Sequence, residues 1–170
     1  MRIDLYISNN RIIDLASKDL SSAYNELLTT FGTLLPTHSK KKKILKELVD
    51  REHSMTSYIG EGVALPHARV DMKRPYALAV GRCPAGLAFE GKDTYEDIRF
   101  VFLLLASKKA KNYLSFLASL ARAFQDKAIM DQLWMAREKA EFKSSVRKAF
   151  VGTDDRPARR RTKFNKLLTD

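Results

Sequence analysis

Apolar residues in the first third of the chain recur every three or four positions, which is the spacing of helices with one buried face. The first predicted helix begins near Ser17, a residue type that often caps helices, and ends at Pro36. Its apolar stripe consists of Leu20, Ala23, Leu27, Phe31 and Leu34. A second helix is predicted from about Ser39 to Arg51. It buries Ile44, Leu45 and Leu48, and it turns the lysines at 40–43 toward water, where an anion-binding patch is the alternative interpretation.

The middle of the chain, residues 62–106, has a different pattern of short apolar segments separated by proline and glycine. Such interruptions are typical of strands joined by turns. The segment from Phe100 to Leu105 contains no polar residue, so we expect it to form a central strand that is covered on both faces.

Helical spacing returns after residue 106 in three further stripes. Asp126 is a candidate N-cap for the second of them. The stripes comprise Leu114, Leu117, Leu120 or Ala121, and Phe124; then Ile129, Leu133 and Trp134; and finally Phe142, Val146, Ala149 and Phe150. The order of helices, strands and helices predicts an α/β (α+β) protein in which helices pack on both faces of one sheet.

The periodic pattern ends near residue 151, which bounds the predicted domain. We predict one domain over residues 1–151 and interpret residues 152–170 as a basic tail or linker, leading to a partner or to another part of a longer protein. A chain of 170 residues with 45% hydrophobic composition is large enough to bury a substantial core.

The formal charge of +11 favours acidic partners, with nucleic acid and anionic lipid surfaces as candidates. Residues 153–170 carry six basic and three acidic side chains, so most of the excess belongs to the domain itself. The single cysteine, Cys83, excludes an intramolecular disulfide. No apolar run approaches the roughly 20 residues of a membrane span, and the N-terminus has no apolar signal segment. We therefore predict a cytoplasmic protein without a membrane span.

The candidate chemistry centres on His67, which follows a proline and a short apolar run. Neutral imidazole is abundant near neutral pH and can act as a nucleophile. Attack on a phosphoryl group would also require cations or backbone N–H donors that stabilise the charge on its oxygens. The surrounding backbone must come close to the phosphoryl group, which glycine permits. The segment TSYIGEGVALPHAR and the residues before it supply such groups in Arg51, Thr56, Gly60, Gly62 and Arg69. From residue types alone, a structural histidine is the more common explanation of such a position.

Other kinds of site find little support in the sequence. The three histidines, at positions 38, 53 and 67, share no i, i+4 spacing, and Cys83 has no CxxC companion, so no metal is expected. The chain also lacks a GxSxG elbow, a GxxxxGKS/T phosphate-binding loop and a GxGxxG turn. We expect His53 near the end of the second helix and His38 in the loop before it, both at the surface.

In the segment REHSMTSYIGEGVALPHAR, the sequence resembles the active-site region of enzyme IIA of the sugar phosphotransferase system, in its mannitol/fructose class, which includes the nitrogen-regulatory type. The family pattern is an Arg-Glu pair, a spacer, a threonine, and glycines spaced before Ala-x-Pro-His. The matching positions are Arg51, Glu52, Thr56, Gly60, Gly62, Ala64, Pro66 and His67. Arg51 precedes His67 by sixteen residues, as the family pattern requires, and the resemblance extends over about residues 3–150.

The resemblance implies a three-layer α/β/α sandwich with a mixed sheet, and phosphorylation of His67. It also implies that the histidine phosphocarrier protein donates the phosphoryl group and that Arg51 neutralises its oxygens. An enzyme IIB, or a regulated transporter or kinase, would be the downstream partner. No metal or organic cofactor is expected, because catalysis of this type is mostly alignment and charge stabilisation.

Two features depart from the family pattern. Family members commonly carry a second histidine on the helix after the central strand, and the best-aligned residue of this chain is Tyr113. A phenol can donate a hydrogen bond to a phosphoryl oxygen but does not exchange protons near neutral pH, so Tyr113 either supports the phosphoryl group or only covers the site. The second departure is charge: the docking face of the phosphocarrier is usually basic, yet Lys108, Lys109 and Lys111 follow the same strand.

Two functions are consistent with these observations. The first is a regulatory phosphohistidine domain, in which an added charge of about −1.5 to −2 switches an interface. The second is a non-catalytic module of the same fold, which uses its basic surface to bind an acidic protein, nucleic acid or a membrane. Either could be one domain of a larger transporter or regulator.

Overall fold

The computed structural model describes residues 2–35, 37–89 and 97–151, which contain five α-helices and six β-strands. The strands are β1 (Ile7–Asp14), β2 (Tyr58–Gly60), β3 (Val63–Ala64), β4 (His67–Val70), β5 (Tyr76–Leu87) and β6 (Ile98–Ser107). The helices are α1 (Leu20–Thr29), α2 (His38–Ser54), α3 (Tyr113–Ala123), α4 (Lys127–Met135) and α5 (Lys139–Phe150). Pro36 and the predicted tail at 152–170 lie outside the described residues, so the domain boundary stays a prediction.

The six strands form one mixed sheet in the order β1-β5-β6-β3-β2, and β4 pairs with β6 next to β3. Strand β6 is antiparallel to β5 and parallel to β3 and β4, while β1 runs parallel to β5 on the far edge. The predicted central strand is confirmed, because every side chain from Val101 to Ala106 is buried.

Alternate residues of the sheet belong to two different apolar clusters, one on each face. On one face Phe102 and Leu104 pack with residues of α3, α4 and α5. On the other face Val101, Leu103 and Leu105 pack with residues of α1 and α2. Helices therefore cover both faces, and the predicted α/β/α sandwich with a mixed sheet is confirmed.

The edge strand β1 was not predicted from the sequence, because its apolar residues do not alternate with polar ones. Ile7 pairs with Leu78 and Ile12 with Val80, so the ladder is interrupted between the two isoleucines. The four residues of the interruption, at positions 8–11, are all polar, which removes the period of two that identifies a strand.

Helix α1 begins later than predicted, because its N-cap is Asp19 and not Ser17. The Asp19 carboxylate accepts a hydrogen bond from the backbone N–H of Ser22 at 2.9 Å. The hydroxyl of Ser17 instead donates to the carboxylate of Glu26 at 2.5 Å. The predicted cap is therefore wrong, although its residue type was suitable.

The bounds of the first two helices differ from the prediction at three further points. Helix α1 ends at Thr29, before Gly32 adopts a left-handed φ of +51° that regular helix does not allow. Helix α2 is capped by Thr37 and runs three residues past Arg51. His38 is consequently its first residue and does not lie in the preceding loop, whereas His53 lies in the last turn as predicted.

The last three helices largely follow their predicted stripes. Asp126 caps α4 by accepting a hydrogen bond from Ala128 N at 3.0 Å, and the predicted stripe of α5 is buried. Two residues are exceptions, since Leu114 is 56% exposed and Trp134 is 42% exposed. The Trp134 ring packs edge-on against Phe100, with a centroid distance of 5.1 Å, and the Arg99 guanidinium lies 5.7 Å from its centre. Across the described residues, no helix combines the length and the apolar character that crossing a bilayer requires.

The burial of β6 predicts a large loss of stability when its core is truncated. We expect Leu103→Ala to lower the free energy of unfolding by about 2–5 kcal/mol, because it leaves a cavity between the sheet and the helices. The control is Leu5→Ala, at a residue that is 60% exposed, with an expected change within about 0.5 kcal/mol. Urea unfolding followed by circular dichroism measures both. A loss at Leu103 no larger than at Leu5 would contradict the central placement of β6.

Candidate functional site

His67 is the first residue of β4, at an edge of the sheet, and it pairs in register with Leu104 of the central strand. Its ring is partly buried, and Nδ1 lies 3.0 Å from the backbone carbonyl oxygen of Leu65. Because a carbonyl oxygen can only accept, Nδ1 of the ring carries the proton. The neutral ring then has its free lone pair on Nε2, which is the nitrogen able to act as a nucleophile.

The surroundings of His67 favour this neutral form. Burial of the ring lowers the pKa of His67 below its usual value, and the positive charge of Arg51 lowers it further. The hydrogen bond to Leu65 and the negative charge of Glu52 act in the opposite direction without reversing the shift. The imidazole is therefore mostly neutral near pH 7, as nucleophilic attack requires.

The last turn of α2 and the turn after it form a pocket with the His67 ring. Its lining residues are Leu48, Arg51, Glu52, Met55, Thr56, Ser57, Pro66 and His67. Two predicted site residues, Arg51 and Thr56, are thus brought to His67 by the packing of α2 beside β4. The Arg51 side chain is exposed at the pocket. A guanidinium placed there can meet an anionic group bound to the imidazole.

A buried carboxylate holds this turn in place, and the sequence analysis gave it no role beyond matching the motif. Glu52 is only 2% exposed. It accepts hydrogen bonds from the hydroxyl of Tyr24 at 2.7 Å, from Ser57 N at 2.9 Å and from the hydroxyl of Thr56 at 3.3 Å. The sequence could have indicated that Glu52 is buried, because it follows Leu48 by four residues and therefore lies on the apolar face of the helix.

Tyr113 lies near the imidazole, and Arg69 lies next to Tyr113. The Tyr113 ring centroid lies 6.2 Å from that of His67, and the Arg69 guanidinium lies 5.1 Å from the centre of the phenol ring. Burial raises the pKa of Tyr113, so the phenol keeps its proton near neutral pH and can donate it in a hydrogen bond. The structure thus places Tyr113 beside His67, while its role toward a phosphoryl group stays a prediction.

Arg69 also has a structural task that its sequence position did not reveal. Its Nη2 donates to the carbonyl oxygens of Ser107, Lys108 and Ala110, at 3.3, 2.6 and 3.4 Å. These bonds shape the connection between β6 and α3, and so they position Tyr113 at the start of α3. A direct role of Arg69 in binding a phosphoryl group stays a prediction.

The two predicted glycines form a turn beside the site and do not line the pocket with His67 in the part of the chain that the structure describes. Gly60 and Gly62 have φ angles of +99° and +75°, which favour glycine. A Cβ on Gly62 would lie 2.7 Å from the Trp134 ring and 2.9 Å from the carbonyl oxygen of Asp97. These constraints account for both glycines without a ligand, and contact with a phosphoryl group stays a prediction for them.

The lowered pKa of His67 predicts the direction of a pH effect on stability. Between the folded-state pKa and the usual value of about 6.5, the unfolded chain binds a proton that the folded chain does not. The free energy of unfolding therefore falls as the pH decreases through this interval, and His67→Gln should remove that part of the decrease. Urea unfolding at about pH 7.5 and about pH 5.5 measures the effect, with His53→Gln as the control.

An NMR titration of the His67 ring tests the cause of the shift. Arg51→Gln should raise the pKa of His67 because it removes a positive charge, and Glu52→Gln should lower it because it removes a negative one. Shifts of the same sign in both variants, or a wild-type pKa above about 6.5, would contradict the proposed electrostatics.

Comparison with known proteins places this geometry in a family. Residues 11–149 match the family model described as "Phosphoenolpyruvate-dependent sugar phosphotransferase system, EIIA 2". The chain is 29% identical over 138 residues to a fructose-specific EIIABC component of Bacillus subtilis, which covers 78% of this chain and 21% of that protein. It is 30% identical over 103 residues to a nitrogen regulatory protein of Bradyrhizobium diazoefficiens, which covers 60% of this chain and 67% of that protein. The chain thus spans about a fifth of the Bacillus relative.

Solved structures have the same fold. The nitrogen regulatory protein IIA-Ntr of Neisseria meningitidis superimposes with a TM-score of 0.71 at 20% identity, over 85% of this chain and 98% of that chain. Enzyme IIA of the Escherichia coli mannitol system, in complex with phosphorylated enzyme IIB, superimposes with a TM-score of 0.59 at 18% identity, over 82% of this chain and 96% of that chain. The family match over most of the described domain is decisive: the chain belongs to the EIIA 2 family of the phosphoenolpyruvate-dependent sugar phosphotransferase system, a family of phosphoryl carriers.

Proposed function

We propose that Nε2 of His67 accepts a phosphoryl group from the histidine phosphocarrier protein, and that the chain passes this group on or signals by its phosphorylation state. In this step the lone pair of Nε2 forms the new P–N bond. The donor imidazole leaves with the electron pair of the P–N bond that breaks. The proton on Nδ1 stays in its hydrogen bond to the Leu65 carbonyl. The observation that carries the proposal is this bond, because it leaves Nε2 as the reactive nitrogen.

Charge around the ring supports the transfer. Phosphoryl transfer distributes negative charge over the equatorial oxygens, and catalysis depends on cations positioned to meet it. Arg51 lines the pocket with His67, and its guanidinium can form two hydrogen bonds to such oxygens. Tyr113, whose ring lies near that of His67, adds a neutral donor. Thr56 and Arg69 hold the surrounding turns in place.

A regulatory role for the phosphorylated chain is supported by a 30% identical relative named as a nitrogen regulatory protein. An enzyme IIB is the alternative recipient, since the mannitol-system enzyme IIA was solved with one. A regulated transporter or kinase would detect the charge of about −1.5 to −2 that phosphorylation adds. Lys108 and Lys109 are exposed on the connection that Arg69 shapes, and this basic rim favours an acidic docking face on the partner.

A non-catalytic module of the same fold has weaker support. A non-catalytic function does not require a partly exposed imidazole with a defined tautomer. It also does not require a buried carboxylate that fixes the turn after α2. Both features are present at His67 and Glu52. They are expected when the ring has to react.

Phosphorylation of His67 is tested by incubating the chain with phosphorylated histidine phosphocarrier protein and measuring acid-labile phosphate. We expect wild type to be labelled and His67→Ala to carry no label, while the control His53→Ala is labelled like wild type. Arg51→Gln should slow labelling by roughly 10²–10³-fold, as the loss of one charge-stabilising donor does in other enzymes. Unchanged labelling of His67→Ala would disprove the site, and absence of label on wild type would favour the non-catalytic module.

The contribution of Tyr113 is tested with variants at the same position. If the phenol donates a hydrogen bond to the phosphoryl group, Tyr113→Phe should slow labelling by about 2- to 10-fold. Tyr113→His, which introduces the residue usual in the family, should restore the wild-type rate or exceed it. A rate for Tyr113→Phe equal to that of wild type would mean that the ring only covers the site.

A further inference from the structure

A second feature of the molecule lies at the opposite edge of the sheet, where β1 leaves its ladder. Ile7 pairs with Leu78 and Ile12 with Val80, so a step of five residues on β1 faces a step of two on β5. The excess residues bulge out of the strand. Such bulges redirect side chains and are common beside functional sites.

The side chain of Arg11 occupies the interruption in the ladder. Its Nε donates to the Leu78 carbonyl at 3.1 Å and its Nη2 to the Tyr6 carbonyl at 3.2 Å. The guanidinium also lies 5.8 Å from the centre of the Phe31 ring. These contacts fix its orientation, and within the described residues the two Nη1 protons make no hydrogen bond. Arg11 thus presents oriented donors before any ligand arrives.

Two more arginines face the same groove. Arg74, from the segment before β5, and Arg147, from α5, line the groove with Arg11. Ser8, Asn9 and Thr33 add neutral hydrogen-bonding side chains. Arg147 donates to the side-chain oxygen of Asn9 at 3.2 Å, and this bond joins α5 to the bulge. The groove therefore combines cations from three separate elements with neutral donors and acceptors.

The described part of the chain offsets the positive charge of the groove only weakly: the Asp4 carboxylate, which is paired with Arg2, also interacts with the charge of Arg147. Within the described residues, none of the three arginines forms an ion pair, whereas other cations such as Arg2, Arg82 and Arg99 do. Burial lowers the pKa of Arg11, and the nearby charge of Arg74 lowers it further. Cations that repel one another in a shared groove are stabilised when an anion binds between them.

The groove is separate from the site at His67. The strand register connects the two sites by one row of paired residues across the sheet. This row runs through His67 on β4, Leu104 on β6, Leu78 on β5 and Ile7 on β1. Three strand spacings separate the ends of this row, which amounts to roughly 14 Å. A ligand in the groove would leave the imidazole and its pocket free.

We propose that this groove is a binding site for a small anion carrying two or more phosphate groups. Three guanidinium groups match the charge of a diphosphate better than that of a single carboxylate, and their planar donors fit phosphate oxygens. Arg11 is recessed in the strand bulge, where a small molecule can reach it. The neutral side chains of Ser8, Asn9 and Thr33 suit the hydroxyl groups of such a molecule. The site is independent of phosphoryl transfer at His67.

The experiment titrates the full chain with sodium pyrophosphate at low salt and records backbone NMR shifts, with calorimetry for the dissociation constant. We expect saturable shifts at Ser8, Asn9 and Thr33. Arg74→Gln and Arg147→Gln, both at exposed residues, should each weaken binding by about tenfold. The matched control is Lys148→Gln, which removes the same charge from the next residue of α5, outside the groove, with an expected change below about twofold.

His67→Ala should bind pyrophosphate like wild type, whether or not His67 is ever phosphorylated. Several results would overturn the proposal: no saturable binding, equal weakening by Lys148→Gln, or shifts confined to the pocket of His67 and Arg51. Tighter binding of citrate would overturn the assignment to phosphate. Tighter binding of a single-stranded oligonucleotide in the same groove would show a nucleic-acid surface and overturn the assignment to a small ligand.

Discussion

Every side chain of β6 from Val101 to Ala106 is buried, because helices cover the sheet on both faces. Strands β3, β4 and β5 all pair with β6, so the position of β6 determines their hydrogen-bonding register. This register pairs His67, on the edge strand β4, with Leu104 of β6. It also brings Arg69 within hydrogen-bond distance of the Lys108 carbonyl, which follows β6. The geometry of the candidate site is thus a consequence of how the core is filled, and a shift of this strand would move every group around the imidazole.

The reactivity of His67 depends on backbone and buried groups more than on its exposed neighbours. The Leu65 carbonyl selects the ring tautomer. The Glu52 carboxylate holds the turn after α2 by accepting hydrogen bonds from Tyr24, Thr56 and Ser57. Because a buried acceptor without partners costs about 1–3 kcal/mol, this network strongly favours one conformation of the turn. The site is therefore preorganised, and little rearrangement is needed when an anion binds.

The basic composition of the chain has two different structural uses. Some arginines act as internal supports: Arg82 pairs with Asp14 at 2.7 Å and donates to the carbonyl groups of Ala136 and Arg137. Arg69 supports the connection before α3 in the same way. Others face the groove beside β1, where none of Arg11, Arg74 and Arg147 forms an ion pair within the part of the chain that the structure describes. A net charge of +11 is consequently a poor guide to partners until the supporting arginines are separated from those that face solvent.

The sequence by itself determined the central strand and most of the helix stripes, because an unbroken apolar run and the helical period are each visible in neighbouring residues. It also singled out His67 as the candidate histidine, because the motif around it is local. It did not determine β1, whose bulge removes the alternation of apolar residues, or the cap at Asp19, which competes with an equally suitable Ser17. Only the tertiary structure brought Arg51, Tyr113 and Glu52 around one imidazole, and Arg11 with Arg147 into one groove. These residues come from separate elements, and their meeting depends on strand order and layer packing, which no local pattern encodes.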